Sequence, residues 1–260
     1  MKADFDQAAA DYDVTFTHSV IGKLQRDLVY NQLTSLLSNN NISNILEINC
    51  GTGEDAIWLA KQGFNVTATD ISEKMISIAK TKESQNSIAF IQADINDLSV
   101  YFPTQKFDLI FSNFGGLNCL SEIQLELFFK NASQLLTEKG KLALVIMPRN
   151  TLWEQGYFLI KGNFKSVFRR KKDSVIANVD AEKVITYYYN PKETLTLADY
   201  YFEFKQQNSI GFFVPPSYLE PFFKNKPRLI SLLNILERKI TPYRFLAKYA
   251  DHYLIAFEKK

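Results

Sequence analysis

The sequence predicts an α/β fold in which a mostly parallel sheet carries helices on both faces. From Asn44 to Met147, apolar strand-like runs alternate with helical segments, as expected where parallel strands are joined by crossover helices. The first run leads into a glycine turn, residues 50–53, and the second ends at Asp70. A strand, a glycine turn, a helix and a strand with a terminal acid together predict a site for a ligand that contains a ribose.

The predicted elements follow one another in a regular order. Residues 3–37 are predicted to be largely helical, because leucines recur at helical spacing, and the polar run 38–41 ends the segment. Strands are predicted near residues 45–48, 64–69, 88–92 and 107–114, with a fifth ending at Val145. Helices are predicted near residues 54–61, 72–82 and 121–136.

The chain changes character after Pro148, because most of its aromatic residues follow this point. Runs 175–189 and 194–206 predict an antiparallel hairpin joined by residues 190–193. Helices are predicted from Pro215 and over 228–239, and a last strand over 251–258. The predicted organisation is an N-terminal helical lid (1–40), a core (41–150), an aromatic-rich insertion (151–215) and C-terminal helices with the last strand (216–260).

The composition agrees with a soluble enzyme and constrains little else. The formal net charge is only +2, which argues against nucleic acid as a partner. Cys50 and Cys119 lack a metal or redox spacing, so two free thiols and no metal site are expected. There is no apolar run long enough to span a membrane and no signal-peptide pattern at the N-terminus, so a cytoplasmic location is expected. No oligomeric state is predicted.

Two ligand classes fit the glycine turn, and neighbouring acids separate them. Gly51, Gly53 and Ala56 also satisfy a loose dinucleotide pattern, which places a pyrophosphate at the helix N-terminus. That pattern gives no role to Glu47, before the turn, or to Asp94, after the third strand. Acidic groups suit a ligand that carries an ammonium group, a sulfonium and an adenine amine but no phosphate.

This order of motifs resembles the class I S-adenosylmethionine (SAM)-dependent methyltransferases over residues 43–148. The resemblance implies a Rossmann-like sheet of seven strands, SAM as cofactor and S-adenosylhomocysteine (SAH) as product. Asn49 stands where the family's first motif normally has glycine, and Asn tolerates the left-handed backbone that such a turn needs. The cofactor residues implied by the resemblance are Tyr12, Arg26, Glu47, Asn49, Gly51, Gly53, Asp70, Ile71, Met75, Asp94, Ile95 and Asn113.

Several of these residues have expected roles, some with a structural alternative. Asp70 would bind the ribose hydroxyls, and Asp94 with Ile95 would recognise and cover the adenine. Tyr12 lies in a lid motif, the alternative being an ordinary packing helix. Arg26 would hold the methionine carboxylate of SAM, or it is an exposed helical arginine.

The acceptor side is predicted from a histidine, an asparagine and aromatic residues. His18 is the candidate general base, with a surface histidine as the alternative. Asn113 would position the substrate, or it satisfies backbone groups beyond its strand. Phe114, Tyr188, Tyr200 and Phe202 are the candidate substrate-binding residues. They predict a small, partly apolar or aromatic acceptor, unless the aromatic residues form the insertion's own core.

Other hypotheses stay open at this stage. A non-catalytic protein with the same fold, serving as a binding or assembly partner, is one alternative, and an NAD-dependent oxidoreductase is a second. The basic run 169–172 is either a solvated loop or a surface that attracts an acidic substrate, a carrier protein or an anionic membrane. His252, at the start of the last strand, is expected to be structural.

Overall fold

The computed structural model describes residues 5–38, 41–83, 85, 87–179 and 182–260. Residues 1–4 of the predicted lid, and residues 39 and 40 at its predicted end, lie outside the described part. The strands are β1 Asn44–Ile48, β2 Asn65–Asp70, β3 Ala89–Gln92, β4 Phe107–Ser112, β5 Leu136–Ile146, β6 Val175–Val179, β7 Glu182–Thr186, β8 Phe202–Ile210 and β9 His252–Lys259.

Seven of these strands form one mostly parallel sheet in the order β3-β2-β1-β4-β5-β9-β8. Strands β1 to β5 run parallel, whereas β9 is antiparallel to both β5 and β8. Ile48 lies level with Thr69 and Ser112, and Tyr253 lies level with Ile146. The carboxyl ends of β1, β2, β4 and β5 therefore share one edge of the sheet with the start of β9.

Helices cover both faces of the sheet, so the predicted Rossmann-like α/β class is confirmed. They are α1 Ala9–Tyr12, α2 Val20–Leu37, α3 Glu54–Lys61, α4 Glu73–Lys82, α5 Leu98–Tyr101, α6 Glu122–Leu135, α7 Leu152–Ile160, α8 Pro191–Ala198, α9 Glu220–Phe223 and α10 Pro227–Ile240. On one face, Leu33 of α2 and Leu59 of α3 pack against β1. On the other, Phe129 of α6 packs among side chains that include Phe257 of β9.

The N-terminal segment is helical but interrupted. A π-helical turn, Asp13–Thr17, follows α1, and His18 and Ser19 separate it from α2. Ser19 caps α2 by accepting a hydrogen bond from the backbone N–H of Gly22 at 2.9 Å. The interruption turns the chain, so that α1 lies beside α4 while α2 contacts β8 and α9.

The predicted hairpin between residues 175–189 and 194–206 is wrong. Strand β6 instead pairs with β7 in a separate two-stranded hairpin, and β8 pairs with β9 in the main sheet. Residues 190–193 begin α8: Asn190 and Glu193 form a capping box with Pro191 at the first helical position. This pattern satisfies backbone groups at a helix N-terminus, so the segment starts a helix and cannot also close a hairpin.

None of the described helices has the length and apolar character needed to cross a membrane. Both cysteines, Cys50 and Cys119, are free thiols.

Candidate functional site

A cavity opens at the edge of the sheet where the parallel strands end. Its empty volume is about 730 Å³, mouth included, which is within the usual range for small-molecule sites. Its walls come from the lid, the glycine turn, the loop after β4 and the β6–β7 hairpin. The lining residues are Phe5, Tyr12, Asn49, Gly51, Asp70, Met75, Phe114, Gly115, Gly116, Cys119, Met147, Val184 and Thr186.

The glycine turn has the left-handed backbone that its sequence predicts. Asn49, Gly51 and Gly53 have φ values of 57°, 52° and 78°, a region that glycine adopts freely and Asn tolerates. A Cβ at Gly53 would lie 2.8 Å from the Cβ of Ala79. Gly53 therefore lets the start of α3 approach α4 closely, while Gly51 leaves backbone exposed to the cavity.

Asp70 presents a buried carboxylate to the cavity. Its Oδ2 accepts a hydrogen bond from the backbone N–H of Gly51 at 2.8 Å, and its Oδ1 accepts one from Ser72 at 2.9 Å. Burial raises the pKa of Asp70, and these backbone hydrogen bonds partly oppose the shift. Each oxygen keeps a further lone pair, so the carboxylate is fixed in place and still able to accept two hydroxyl groups.

A network of charged side chains lies beside the glycine turn. The Nε of Arg26 donates to Oδ1 of Asp55 at 2.8 Å, and the Tyr30 hydroxyl donates to the same oxygen at 2.7 Å. Asn113 donates to the other oxygen of Asp55 at 3.0 Å. Arg26 is therefore buried and paired, unlike the exposed helical arginine of the alternative interpretation.

Two atoms of this region are buried without a hydrogen-bond partner among the described residues: Oε2 of Glu47 and Nη1 of Arg26. Burial raises the pKa of Glu47 well above its usual value; the charge of Asp55 adds to this, and that of Arg26 opposes it. Unpartnered polar groups of this kind are costly in a folded protein. Both atoms therefore have hydrogen-bonding capacity left for a further polar group.

The lid contributes Tyr12 to the cavity and is attached to the core by Asp13. Asp13 accepts hydrogen bonds from the Thr52 hydroxyl at 2.6 Å and from Lys82 at 3.0 Å. Burial raises the pKa of the Tyr12 hydroxyl to about 12; the charge of Arg26 opposes this and that of Asp55 adds to it. Tyr12 thus lies between the cavity and the Arg26–Asp55 pair and stays protonated at neutral pH.

The loop after β4 is strained and aromatic. Phe114 has a φ of 38°, which is unusual for a bulky residue, and Gly115 follows with a φ of 80°. The Phe114 ring packs edge-on against Phe16 of the lid, with ring centroids 5.1 Å apart. The guanidinium carbon of Arg26 lies 5.6 Å from the centroids of both rings. Phe114 therefore joins the lid to the end of β4.

Asn118 fixes the hairpin wall of the cavity. Its side chain accepts from the Met147 backbone N–H at 2.9 Å and donates to the carbonyl of Tyr187 at 2.6 Å. Its own carbonyl accepts from the backbone N–H of Tyr187 at 2.7 Å. These bonds hold β7, which supplies Val184 and Thr186 to the cavity, against the ends of β4 and β5.

The structure brings only part of the predicted cofactor set to the cavity: Tyr12, Asn49, Gly51, Asp70 and Met75. Gly53, Glu47, Arg26 and Asn113 lie in the turn and the network next to it. Asn113 also accepts from the backbone N–H of Phe114 at 3.0 Å, as its structural alternative predicts.

The two residues predicted to recognise adenine, together with Ile71, make other contacts. Asp94 caps a 3₁₀ turn by accepting from the backbone N–H of Asn96 at 3.0 Å, and Ile95 packs against the core. The carbonyl of Ile71 accepts from the Gln92 side chain at 3.1 Å. None of the three is among the described residues that line the cavity.

Of the acceptor-side candidates, Phe114 lines the cavity, whereas the histidine and the other three aromatic residues lie away from the described lining. His18 is exposed and absent from the described lining. Tyr188 is buried with its ring 4.7 Å from the Arg170 guanidinium carbon. Phe202 pairs with Lys259 at the opposite edge of the sheet and is 1% exposed, while Tyr200 is 83% exposed just before it. Phe202 is therefore part of the core, and Tyr200 is a surface residue.

Sequence reasoning missed several cavity residues: Cys119, Met147, Val184 and Thr186. Cys119 and Met147 could have been found from the sequence, because they follow β4 and β5. Ligands bind beyond the carboxyl ends of parallel strands. Burial raises the pKa of the Cys119 thiol to about 11, so it is not a thiolate at neutral pH. Within the described part of the chain, no group of three or more His, Cys, Asp or Glu residues is arranged to hold a metal ion.

Sequence comparison relates the central part of the chain to enzymes. Residues 45–140 match a family described as "Methyltransferase domain". The chain is 35% identical over 115 residues to the malonyl-[acyl-carrier protein] O-methyltransferase of Priestia megaterium, which covers 44% of this chain and 39% of that protein. It is 30% identical over 116 residues to the demethylmenaquinone methyltransferase of Clavibacter sepedonicus, covering 44% and 46%. The chain spans less than half the length of either relative.

Solved structures with a similar fold extend over almost the whole chain. Magnesium protoporphyrin IX methyltransferase from Synechocystis PCC 6803, with bound SAH, aligns with a TM-score of 0.59 at 16% identity and covers 92% of this chain and 85% of that one. The CcbJ methyltransferase from Streptomyces caelestis aligns with a TM-score of 0.62 at 15% identity, covering 98% and 96%. At these identities the likeness concerns the fold.

Proposed function

We propose that this chain, whose residues 45–140 match a methyltransferase domain, is a class I SAM-dependent methyltransferase that transfers the methyl group of SAM to a small acceptor that is partly apolar or aromatic. The observation that carries the proposal is the position of Asp70. Its carboxylate faces the cavity and is fixed by the backbone N–H groups of Gly51 and Ser72. A fixed carboxylate at the end of the second strand is suited to a ribose diol.

The remaining residues of the site fit the other end of the cofactor. The methionine part of SAM carries one ammonium group and one carboxylate. Glu47 and Arg26 each have a buried atom without a partner among the described residues, one on an acidic group and the other on a basic group. We assign Glu47 to the ammonium side and Arg26 to the carboxylate side, because charge-assisted hydrogen bonds are the strong ones.

SAM supplies a methyl group on a sulfonium, already activated for in-line displacement. The protein then has to orient the acceptor and exclude water, which supply much of the acceleration in such reactions. Phe114, Met147 and Val184 give the cavity apolar walls, and the attached lid covers it through Tyr12. These residues favour an acceptor with an apolar or aromatic surface.

The ionisable groups of the cavity favour acceptors that need no strong protein base. Burial keeps Tyr12 and Cys119 protonated at neutral pH, since it raises their pKa values to about 12 and 11. The carboxylate of Asp70 is assigned to the ribose hydroxyls and is therefore not available as a base for the acceptor. A carboxylate, or another group that is nucleophilic at neutral pH, is therefore the acceptor class we propose. His18 takes no part, and a His18→Ala variant should keep full turnover.

Calorimetric titration with SAM and SAH tests the cofactor assignment. We expect both to bind, and Asp70→Ala to weaken SAM by about tenfold or more, since hydrogen bonds to charged groups contribute about 1.5–3 kcal/mol. Asp97→Asn, at an exposed acid beyond the third strand, is the matched control. Binding of NADH but not of SAM would favour the oxidoreductase alternative instead.

A second experiment tests the reaction itself. The protein is incubated with methyl-labelled SAM and small-molecule fractions, and transfer of label to an acid-bearing, apolar acceptor is expected. SAM binding without transfer to any fraction would support the non-catalytic alternative. Transfer only to strongly polar acceptors would contradict the proposed acceptor class.

A further inference from the structure

An apolar groove lies outside the cavity, between α7 and α9. Its empty volume is about 720 Å³, mouth included. We call it the α7–α9 groove; its lining residues are Leu152, Trp153, Gly156, Tyr157, Ile160, Phe212, Leu219, Phe222 and Phe223. The lining contains no charged side chain, so the groove is suited to an apolar occupant rather than to a polar ligand.

Large apolar side chains project from the same region. Ile160 at the end of α7 is 89% exposed, Phe164 in the following turn is 72% exposed, and Phe222 of α9 is 59% exposed. Single exposed apolar residues are common, but contiguous ones mark an interaction surface in soluble proteins. These side chains and the groove together form such a surface.

Basic side chains surround this surface. The Nζ of Lys226 lies 2.9 Å from the ring centroid of Phe222, and the Nζ of Lys161 lies 5.9 Å from that of Tyr157. Both lysines therefore lie directly over aromatic rings of the groove. Further exposed cations follow in the same segments: Lys165, Lys171, Lys172, Lys224 and Arg228.

The acidic residues in the segments that carry α7 and α9 are paired with groups outside the groove. In residues 152–172 and 212–229, both fully described, the acidic residues are Glu154 and Glu220. Glu154 is buried and paired with Arg169 and Arg170. Glu220 accepts hydrogen bonds from the backbone N–H groups of Val20 and Ile21, both at 2.9 Å. Asp173, next to Lys172, is exposed and offsets one of these cations, and the surface stays basic in a chain whose formal net charge is only +2.

We propose that the α7–α9 groove and its basic rim dock the protein on the surface of an anionic lipid bilayer. Apolar and aromatic side chains insert at the boundary between headgroups and acyl chains, and basic residues beside them bind anionic headgroups. A second copy of this chain is a poor occupant, because two such basic surfaces would repel each other. Charge complementarity therefore favours the anionic membrane.

The docking surface is connected to the lid. Phe223, Leu219 and Trp153 pack against Ile21 of α2, and α2 also carries Arg26 of the network beside the cavity. Glu220 binds the N-terminus of the same helix. Docking thus places the base of the lid at the membrane, where an apolar acceptor would concentrate.

Vesicle binding tests the proposal with the full chain. We expect flotation with vesicles that contain phosphatidylglycerol and not with pure phosphatidylcholine, and a decrease as salt is raised. Lys161→Glu with Lys226→Glu should weaken binding by about thirtyfold or more, from the usual contribution of a basic residue near an anionic membrane. Ile160→Ser with Phe222→Ser should weaken it by about tenfold or more. These positions are exposed or lie at the rim, so folding should be preserved.

The matched control is Ile123→Ser with Lys130→Glu, both exposed on α6, which covers the opposite face of the sheet. It should bind vesicles as the wild type does. Equal binding of all variants, or no preference for anionic vesicles, would overturn the proposal. So would a finding that the same substitutions abolish self-association, or binding to an acidic acyl carrier protein, while vesicles are ignored. Vesicle binding needs no methyl acceptor, so its failure is separate from a failure of methyl transfer.

Discussion

Asn49 and Gly116 are packed so closely that Gly116 has no room for a side chain. A Cβ built on Gly116 lies 2.5 Å from the Cβ of Asn49, a separation that real side chains do not show. Asn49 occupies the place where related motifs have glycine, and it adopts the left-handed backbone with a φ of 57°. Gly116 therefore accommodates the side chain that Asn49 adds to the wall of the cavity.

This contact predicts a compensating pair of substitutions. Gly116→Ala should lower the free energy of unfolding by about 1–3 kcal/mol, the usual cost of overpacking. Asn49→Gly with Gly116→Ala should recover most of that loss, because removing the Asn49 side chain makes room for the new methyl group. Chemical denaturation of the two single variants and the double variant measures the coupling. Additive effects of the two substitutions would contradict the steric account.

The core of the fold was predictable because its signals are local. Short apolar runs, helix caps such as Ser72 and the left-handed turn at Asn49 to Gly53 each specify backbone geometry within a few residues. Asp70 was predictable for the same reason, since its position at the end of β2 follows from the strand itself. These features fix the cofactor side of the site.

The acceptor side was less predictable because it depends on which segments meet in space. Asn190 and Pro191 suggested a turn, yet Glu193 three residues after Asn190 completes a capping box and starts α8. Once β8 joins the main sheet, Phe202 becomes part of the core at the far edge. Val184 and Thr186 line the cavity only because Asn118 holds their hairpin in place, a contact between residues far apart in the sequence.

The position of Arg169 and Arg170 in the basic run also depends on a contact that the neighbouring sequence does not reveal. A solvated loop was the expected alternative for this run, but both side chains bind Glu154, and Arg170 is buried. Nothing near them in the sequence indicates this partner. The exposed Lys171 and Lys172 remain available to the proposed docking surface.

Asn118→Ala should detach the hairpin wall from the cavity. The substitution leaves the backbone N–H of Met147 and the carbonyl of Tyr187 without their side-chain partner, and such losses cost about 1–3 kcal/mol for each buried group. The Michaelis constant for the acceptor should rise, while the affinity for SAM changes little. Asn31→Ala, at an exposed position of α2, is the control. A change in SAM affinity alone would contradict a role for Asn118 on the acceptor side.

The stability of the protein should decline in acid through Glu154 and Asp251. Burial alone would raise the pKa of Glu154, but the hydrogen bond from Arg169 and the charge of Arg170 outweigh it, and the net pKa is lowered. For Asp251, burial is outweighed by His252 and Arg170. Folded carboxyl groups with lowered pKa values stabilise the protein above the ordinary carboxyl range, near pH 4, and this contribution is lost as the pH falls through the lowered values.

A variant separates Glu154 from other causes of acid lability. Glu154→Gln should reduce the free energy of unfolding at neutral pH by about 3–5 kcal/mol, because it leaves buried Arg170 without its nearest counter-charge. The difference from the wild type should shrink as the pH falls, since the wild-type carboxylate is then protonated. Urea denaturation at a series of pH values measures both effects. Glu203→Gln, at an exposed surface pair, is the control and should leave the dependence of unfolding free energy on pH unchanged. If Glu154→Gln lowers the free energy of unfolding equally at all pH values, Glu154 does not contribute to the acid lability.

Asp13→Ala should release the lid from the glycine turn without unfolding the core. Asp13 is the side chain that bonds to Thr52 of the turn and to Lys82 of α4, and burial, which raises its pKa, is outweighed by these two partners, so the pKa is lowered. Without the bonds to Thr52 and Lys82, the lid is less ordered in the free protein. It must then become ordered when SAM binds, and that ordering lowers the affinity. We expect SAM to bind about tenfold more weakly, with faster proteolysis within residues 13–19. Asp11→Ala, at an exposed position of α1, is the control and should change neither the SAM affinity nor the proteolysis. If the Asp13→Ala variant also leaves both unchanged, other contacts hold the lid.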